Sequence, residues 1–315
     1  MEKVIYLKKL DDYEEVLKSK RKILLNFKRF IFLYKNLFNI ITKKKIEEFN
    51  VWILPFQEKI SSNKLEKILL KQIKNLKLSQ DTKLVIADSL KDYNIINILQ
   101  KYSIKYFTGK EIKKILVFKV LEYINQLQKK ELNTREVTVL VDNDNEINMY
   151  ILKQLAINCK TLKVVSKKIY KFKALEENLF NEFGIAIQFS NSYKKSLIKT
   201  EIIINLDFNN IDINEYEINN KAIIINTQEQ LKIKSKLFNG IVINSYGIKM
   251  AKEITEKFKQ ANLLHKYDNL ILYESIININ NLKNIEEKIE KDKVRLLNLI
   301  GNNGVINKKE FKIVN

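Results

Sequence analysis

The sequence predicts two α/β domains, the second a doubly wound and mostly parallel sheet, with helices at the C-terminal end. Three observations lead to this prediction. Short β-branched runs alternate with helical patterns along residues 1–250. Beyond Arg135 these runs are continuously apolar, as in parallel strands buried on both faces. All six glycines except Gly109 also lie beyond Arg135, where the alternation becomes regular.

The first part of the chain is expected to form a small α/β domain, because helical patterns separate its strands. The predicted strands are Val4–Leu7, Val51–Leu54, Lys83–Ala87 and Ile104–Phe107. The predicted helices are Phe27–Ile41, Lys64–Leu76 and a connecting helix from Glu111 to about Lys129, whose apolar face holds Ile112, Ile115, Leu116, Val120 and Ile124.

The second part alternates more clearly, which implies right-handed crossovers and a doubly wound sheet. Its predicted strands are Val137–Val141, Leu162–Val165, Ile185–Phe189, Ile202–Leu206, Ala222–Ile225 and Ile241–Ile243. Its predicted helices are Ile147–Ile157, Ala174–Phe183 with Gly184 as its C-cap, and Tyr193–Lys199. Helices are predicted over Lys249–Leu264, around Tyr267–Ile277 and over Ile285–Ile300, followed by a tail or a short closing strand.

These patterns divide the chain into four parts. We predict a small α/β domain over 1–109, a connecting helix and linker over 110–135, the doubly wound domain over 136–250, and C-terminal helices and a tail over 251–315.

The net charge of +20 invites a nucleic-acid function, but its composition argues for a solvated surface. Only four of the 57 basic residues are arginine, the residue that binds phosphate and guanine in a bidentate manner. Residues 1–135 hold 30 basic and 15 acidic side chains, whereas residues 136–315 hold 27 and 22. A polyanion-binding surface would therefore belong to the N-terminal part.

Cysteine usage and hydropathy favour an intracellular, cytoplasmic setting. The single cysteine, Cys159, excludes a disulfide framework and a cysteine-based zinc site, and we interpret it as a packed apolar residue. The charged N-terminus lacks the apolar core of a signal peptide. No uncharged apolar stretch reaches the roughly 18 residues that a membrane span needs.

Three segments carry a family resemblance. They are the strand–loop–helix start VTVLVDNDNEINMYILKQLA (Val137–Ala156), the strand end KTEIIINLDFNN (Lys199–Asn210) and the strand FNGIVINSYGI (Phe238–Ile248). The pattern resembles the Rossmann-like NAD(P)-binding domain of the shikimate dehydrogenase and glutamyl-tRNA reductase group. The resemblance covers about a third of the chain and implies a substrate domain before the cofactor domain. It also implies an oxidoreductase activity.

The first loop departs from that family. The family carries G-x-G-x-x-G there, which lets the backbone approach the cofactor's pyrophosphate, whereas this chain reads Asp142-Asn143-Asp144-Asn145-Glu146-Ile147. Carboxylates near two phosphates would cost on the order of 1 kcal/mol or more each. The alternative is a well-capped helix, with Asp144 or Asn143 as N-cap and Glu146 complementing the helix dipole. In that case the protein's own carboxylates occupy the place of the phosphate.

The second strand end points to NADP as the cofactor, if one binds. Ser166, Lys167 and Lys168 stand where an NAD enzyme has an acidic ribose ligand, and such residues suit a 2′-phosphate. A ligand is expected at the carboxyl ends of the strands. The predicted cofactor-binding residues are Asp142, Asn143, Ser166, Lys167, Asn205 and Asn226.

The acidic loop also fits parts of two other patterns, those of a phosphatase and of an EF-hand. Asp142 and Asp144 are also in the order typical of haloacid dehalogenase-like phosphatases, with Ser166 after the second strand and Asp207 and Asp212 as Mg²⁺ ligands. Glu146 and the short gap to Ser166 depart from that pattern. An EF-hand fails, because its sixth and twelfth positions are Ile147 and Lys153. No metal site is predicted, and the only histidine, His265, is expected in the last turn of a helix.

The basic and aromatic stretch Lys18–Phe38 suits single-stranded nucleic acid or an anionic membrane surface, although its helical spacing favours a core helix. The leading hypothesis is a degenerate Rossmann-like protein. It would bind a nucleotide-like or small ligand in an unusual way or act as a non-catalytic module. The alternatives are an NADP-dependent oxidoreductase and a nucleic-acid-binding protein that uses its basic N-terminal domain.

Overall fold

The computed structural model describes residues 3–9, 41–54, 61–76, 82–191, 194–277, 279 and 282–313. The basic stretch Lys18–Phe38 lies outside these residues, as does the predicted helix Phe27–Ile41 apart from Ile41 itself. The chain forms two compact units, each built from two stretches of sequence. The first comprises residues 1–109 and 251–277, and the second comprises residues 110–250 and 278–315.

The elements of the described residues follow in chain order. The strands are β1 (Lys3–Lys9), β2 (Thr42–Ile46), β3 (Phe49–Leu54), β4 (Thr82–Ile86), β5 (Lys105–Tyr106), β6 (Glu136–Leu140), β7 (Thr161–Val165), β8 (Gln188–Ser190), β9 (Ile202–Asn205), β10 (Ile223–Asn226), β11 (Ile241–Ile243), β12 (Ser245–Lys249), β13 (Arg295–Gly301) and β14 (Gly304–Val305). The α-helices are α1 (Ser62–Leu76), α2 (Ile95–Lys101), α3 (Lys110–Ile115), α4 (Val117–Gln128), α5 (Glu146–Asn158), α6 (Lys173–Phe183), α7 (Asn210–Ile213), α8 (Lys252–Gln260), α9 (Asn269–Ile276), α10 (Ile285–Lys291) and α11 (Glu310–Ile313). Short 3₁₀ helices cover Asp88–Tyr93, Leu132–Thr134, Ile169–Phe172 and Leu282–Asn284.

The first unit is built on a five-stranded sheet with the order β2-β3-β1-β4-β5, in which β2 runs antiparallel to β3 and the other pairs are parallel. The apolar face of α1 joins the core of this sheet through Leu65, Ile68 and Leu69. Strand β2 was not predicted, because its sequence TKKKI consists mainly of lysines. Such lysines suit an edge strand, where they discourage pairing with other chains.

The second unit contains a six-stranded, fully parallel sheet with the order β11-β10-β9-β6-β7-β8. Read from the other edge, this is the strand order 3-2-1-4-5-6 of doubly wound dinucleotide-binding folds. The predicted α/β fold class with a doubly wound parallel sheet is confirmed. The strands are apolar runs because helices cover both faces of a parallel sheet, and β9 and β10 are buried along their whole lengths.

The last predicted helix is wrong in its C-terminal half. The helix predicted over Ile285–Ile300 ends at Lys291, and Arg295–Gly301 forms β13. Lys293 adopts a left-handed backbone with φ of 50°, which ends the helix. Strand β13 then pairs antiparallel with β12, and β14 closes a three-stranded sheet.

Three local predictions also need correction. Residues 194–199 form turns and not the predicted helix over Tyr193–Lys199, and the carbonyls of Lys194 and Leu197 accept hydrogen bonds from the N–H groups of Glu217 and Asn219 outside the segment. The connecting helix is interrupted at Leu116, between α3 and α4, although all the residues of its predicted apolar face are buried. His265 lies beyond the end of α8, in a turn with φ of 66°, so it caps no helix.

Candidate functional site

The six residues predicted to form a ligand site lie at or directly after the carboxyl ends of neighbouring parallel strands. They are Asp142 and Asn143 after β6, Ser166 and Lys167 after β7, Asn205 at the end of β9 and Asn226 at the end of β10. The structure joins them in two groups. Ser166 Oγ and the Lys167 backbone N–H both donate to Asp142, and Asn205 donates to Asn226, whereas Asn143 belongs to neither group.

A carboxylate from another loop accepts hydrogen bonds from the backbone N–H groups of the first loop. Asp207, two residues after β9, accepts hydrogen bonds from the backbone N–H groups of Asp142 at 3.2 Å and Asn143 at 2.9 Å, both to Oδ2. These donors lie between the first strand of the doubly wound sheet and its helix, where dinucleotide-binding folds hold the pyrophosphate. The position of a phosphate is therefore taken by an anion of the chain itself.

Lys114 and Asn148 hold the Asp207 carboxylate in place. Lys114 Nζ lies 2.8 Å from Asp207 Oδ1 and donates at 3.0 Å to Asn148 Oδ1. Asn148 is fully buried, and its Nδ2 donates to Asp207 Oδ2 at 2.9 Å and to the Asn143 carbonyl at 2.8 Å. The cluster defined by Asp207, Lys114, Asn148 and Asn143, which we call the Asp207 cluster, thus ties the first loop to α3, α5 and β9.

The electrostatics of the cluster favour an ionised Asp207. Burial disfavours the charged form of the Asp207 carboxyl and by itself would raise its pKa. The Lys114 ammonium and the hydrogen bonds from Asn143 and Asn148 outweigh it, and they hold the pKa of the Asp207 carboxyl below its ordinary value. The side chains of Asp207 and Lys114 are only 6% and 12% exposed, so this ion pair is screened little by solvent.

Asp142 ties the first loop to the end of β7. Its Oδ1 accepts from Ser166 Oγ at 3.1 Å and from the backbone N–H of Lys167 at 2.7 Å. Lys167 Nζ in turn lies 2.7 Å from Asp212 Oδ1. Two of the three side chains predicted to suit a 2′-phosphate, Ser166 and Lys167, are thus engaged within the chain.

The remaining loop residues are capped or paired as well. The N-cap of α5 is Asn145, whose Oδ1 accepts from the Asn148 N–H at 2.9 Å, and not the predicted Asp144 or Asn143. Asp144 instead pairs with Lys171 at 2.8 Å, and that hydrogen bond holds the pKa of the Asp144 carboxyl below its ordinary value. The loop therefore supplies its own cap, as the sequence predicted, but through a different residue.

A ladder of four asparagines, which we call the asparagine ladder, closes the other half of the edge; Asn205, Asn226 and Asn244 are buried, and Asn302 is exposed. Asn205 Nδ2 donates to Asn226 Oδ1 at 2.8 Å, Asn226 Nδ2 to Asn244 Oδ1 at 2.9 Å, and Asn244 Nδ2 to Asn302 Oδ1 at 2.9 Å. The same amides bind the loops that follow, as when the Phe208 N–H donates to Asn205 Oδ1 at 2.9 Å. The ladder thus satisfies buried polar groups where three strands turn into loops.

Sequence reasoning missed the partners that give these residues their roles. Asp207 entered only as a metal ligand of the phosphatase alternative, and Lys114, Asn148 and Asn244 did not enter at all. A usable signal was present, because β9, β10 and β11 are followed or closed by Asn in the runs IIIN, IIIN and IVIN. Within the described residues, no group of three or more His, Cys, Asp or Glu side chains is arranged to hold a metal ion.

Comparisons with known proteins give no family. No family model and no curated protein matches the chain. Among solved structures, the L-tryptophan dehydrogenase from Nostoc punctiforme is 12% identical, with a TM-score of 0.34, over 99% of this chain and 85% of that chain. The 5-ketofructose reductase of Gluconobacter sp. is 10% identical with a TM-score of 0.33, over 90% of this chain and 99% of that chain.

A shikimate 5-dehydrogenase from Listeria monocytogenes, solved with shikimate and NAD, is 9% identical with a TM-score of 0.31, over 90% of this chain and 96% of that chain. At such scores these likenesses carry no argument about function, and the fold rests on the strand order alone. The described helices include none with the length and apolar character required to cross a membrane.

Proposed function

We propose that this chain is a Rossmann-like binding module without nicotinamide-dependent activity. The observation that carries the proposal is the Asp207 carboxylate on the amide donors of the first loop. A dinucleotide bound in the usual way would place its pyrophosphate against those donors. It would have to displace Asp207 first.

The energetic cost of that displacement is large compared with cofactor affinity. Separating Asp207 from Lys114 leaves a charge that is nearly buried, and breaking such pairs costs about 3–5 kcal/mol. That amount corresponds to roughly a hundredfold to a thousandfold or more in Kd. The carboxylates of Asp142 and Asp144 would remain nearby and repel a diphosphate further.

The oxidoreductase alternative is less well supported by the geometry. Two of its three expected 2′-phosphate ligands already have partners, since Ser166 Oγ donates to Asp142 and Lys167 Nζ pairs with Asp212. A ligand at this edge would therefore have to exchange these contacts for its own. A neutral or cationic small molecule would meet less repulsion there than a diphosphate would.

Thermal-shift titration with NADPH, NADH and ATP tests the proposal. At millimolar ligand we expect no shift in the melting temperature of the wild-type protein. The variant Asp207→Asn keeps an oxygen acceptor for the loop amides but removes the charge, so its affinity for NADPH should exceed that of the wild type. Asp144→Asn, which removes an exposed carboxylate that is already paired with Lys171 in the same loop, is the matched control and should gain much less.

Two results would count against the proposal. A saturable NADPH shift in the wild-type protein would restore the oxidoreductase reading. Equal behaviour of Asp207→Asn and Asp144→Asn would show that the Asp207 carboxylate is not what keeps the cofactor out.

A further inference from the structure

Two adjoining cavities open at the amino edge of the six-stranded sheet, opposite the candidate site. Their volumes are about 410 Å³ and about 380 Å³, and they share Glu136 and Lys199 in their walls. Each falls within the roughly 300–1,000 Å³ typical of small-molecule sites. We call the two cavities together the amino-edge cleft.

A preorganised arginine lines the first cavity. Arg135 is 3% exposed, its Nε donates to Asn125 Oδ1 at 2.8 Å, and its guanidinium also donates to Gln128 Oε1. These neutral amides fix the guanidinium plane without neutralising it. The acidic contact, from Arg135 to Glu201, is 3.6 Å long and involves a carboxylate that is 68% exposed, so it is weak.

A row of polar side chains crosses the sheet in the second cavity. Thr138, Lys163 and Gln188 are register neighbours on β6, β7 and β8, and all three line the cavity. Central strands of a parallel sheet are normally apolar on both faces, and departures from such rules concentrate at functional sites. Lys163 Nζ donates to the Ser196 carbonyl at 2.9 Å, and burial lowers the pKa of this lysine.

The charge of the cleft is strongly positive. Two acidic side chains, Glu136 and Glu201, face five basic ones. The basic side chains are Lys130, Arg135, Lys163, Lys195 and Lys199. The described residues that line the two cavities include no aromatic side chain, whereas single-stranded nucleic-acid sites rely on aromatic stacking.

We propose that the amino-edge cleft binds a phosphate-bearing small molecule. The guanidinium of Arg135, held in place by Asn125 and Gln128, contributes a fixed positive charge to the wall of the first cavity. Lys163 and Lys199 supply point charges, and Thr138, whose hydroxyl is hydrogen-bonded to that of Thr200 at 3.1 Å, lines the same cavity. This site is independent of the Asp207 cluster, which closes the opposite edge of the same sheet.

Isothermal titration calorimetry with inorganic diphosphate, at constant ionic strength, tests this proposal. We expect saturable one-to-one binding to the wild-type protein. Lys163→Gln and Lys199→Gln should each weaken it roughly tenfold or more, since each removes a charge-assisted contact. Lys232→Gln removes an exposed lysine outside the cleft and should leave the affinity unchanged.

Far-ultraviolet circular dichroism of each variant checks that it is folded. The test uses the two lysine variants because substitution of the buried Arg135 could itself prevent folding. The proposal is overturned if the wild-type protein gives no saturable heat, or if Lys232→Gln loses as much affinity as Lys163→Gln. It is also overturned if a single-stranded oligonucleotide displaces diphosphate and binds both cleft variants as tightly as the wild type. That outcome would show that diphosphate binds to the basic surface of the protein in general and not to the amino-edge cleft.

Discussion

At the scale of single residues, the charge of Asp207 has the largest expected consequence. Its ion pair with Lys114 is nearly buried, and removing one partner of such a pair leaves the other charge without compensation. We expect Asp207→Ala to lower the free energy of unfolding by about 3–5 kcal/mol. Urea denaturation followed by circular dichroism measures this change.

The double variant Asp207→Ala with Lys114→Met identifies the cause. If the loss comes from the unpaired ammonium, the second substitution should recover a large part of it. Asp144→Ala, which breaks an exposed ion pair in the same loop, should change the stability little. A double variant that is less stable than Asp207→Ala alone would contradict this account.

The depressed pKa of Asp207 predicts a specific acid sensitivity. A carboxyl whose pKa is lower in the folded than in the unfolded protein stabilises the fold above the unfolded value, near 3.8. This contribution disappears as the pH falls from that value through the lower, folded pKa. We therefore expect the difference in urea midpoint between wild type and Asp207→Asn to be constant from pH 7 to about pH 5.

Below about pH 4 the same difference should shrink, because the wild-type carboxyl becomes protonated and resembles the amide. Parallel denaturation curves at a series of pH values give the measurement. A difference that stays constant down to pH 2 would show that folding does not lower the pKa of the Asp207 carboxyl.

The sequence located this edge of the sheet but not its chemistry. Asp142 and Ser166 were recognisable because each directly follows an apolar strand. The link between Lys114 and Asp207 spans 93 residues, and no local pattern reveals it. The self-supplied negative charge was predicted in general terms, although from the loop's own carboxylates and not from Asp207.

At the scale of elements, the asparagine ladder predicts that the strand ends depend on one another. Asn226→Ala would remove the acceptor of Asn205 Nδ2 and the donor to Asn244 Oδ1, both of them buried. Each of these atoms keeps one other partner, since Asn205 Nδ2 also donates to the Phe208 carbonyl and Asn244 Oδ1 also accepts from the Leu231 N–H. The loss of two hydrogen bonds is worth about 0.5–1.5 kcal/mol each, so we expect a loss of about 1–3 kcal/mol.

Urea denaturation tests this prediction, with Asn220→Ala as the matched control. Asn220 is an exposed loop residue, so its substitution should have little effect. A cost for Asn226→Ala as small as that of the control would mean that water replaces the lost amide, and the ladder would then not be a stability element.

Strands were predictable where their burial was unambiguous. The runs in β9, β10 and β11 are apolar up to the asparagine that closes or follows each of them, and every residue of these three strands is buried. The apolar runs of β6 and β7 were recognisable despite Thr138 and Lys163. Strand β13 was mistaken for helix because RLLNLI fits either period, and only its pairing with β12 decides between them. Strand β2 was not predicted, because an edge strand needs little apolar surface and therefore leaves no apolar run in the sequence.

At the scale of the whole molecule, the residues after Met250 divide between the two compact units. In the first unit, Phe258 of α8 stacks on Phe49 with ring centroids 5.2 Å apart, and Ser275 of α9 hydrogen-bonds to Tyr6 at 2.8 Å. In the second unit, β13 pairs with β12 and buries Leu299. The predicted boundary at residue 250 therefore has a direct experimental test.

A chain that ends at Met250 should not fold cooperatively. In the first unit it loses Phe258, Leu263 and Leu272, each fully buried and worth about 1.5–3 kcal/mol. Their sum is comparable with the whole stability of a typical domain, about 5–15 kcal/mol. In the second unit the same truncation leaves β12 without its partner strand. Thermal unfolding followed by circular dichroism should give a broad, weak transition for residues 1–250 and a sharp one for the full chain.

Adding residues 251–315 as a separate polypeptide distinguishes lost packing from a general failure of the shorter chain. If the missing side chains are the cause, the added fragment should restore a cooperative transition at a concentration that depends on its affinity. A sharp transition for residues 1–250 alone would instead show that both cores are complete before residue 251. The helices and strands that follow would then be additions to an independently stable protein.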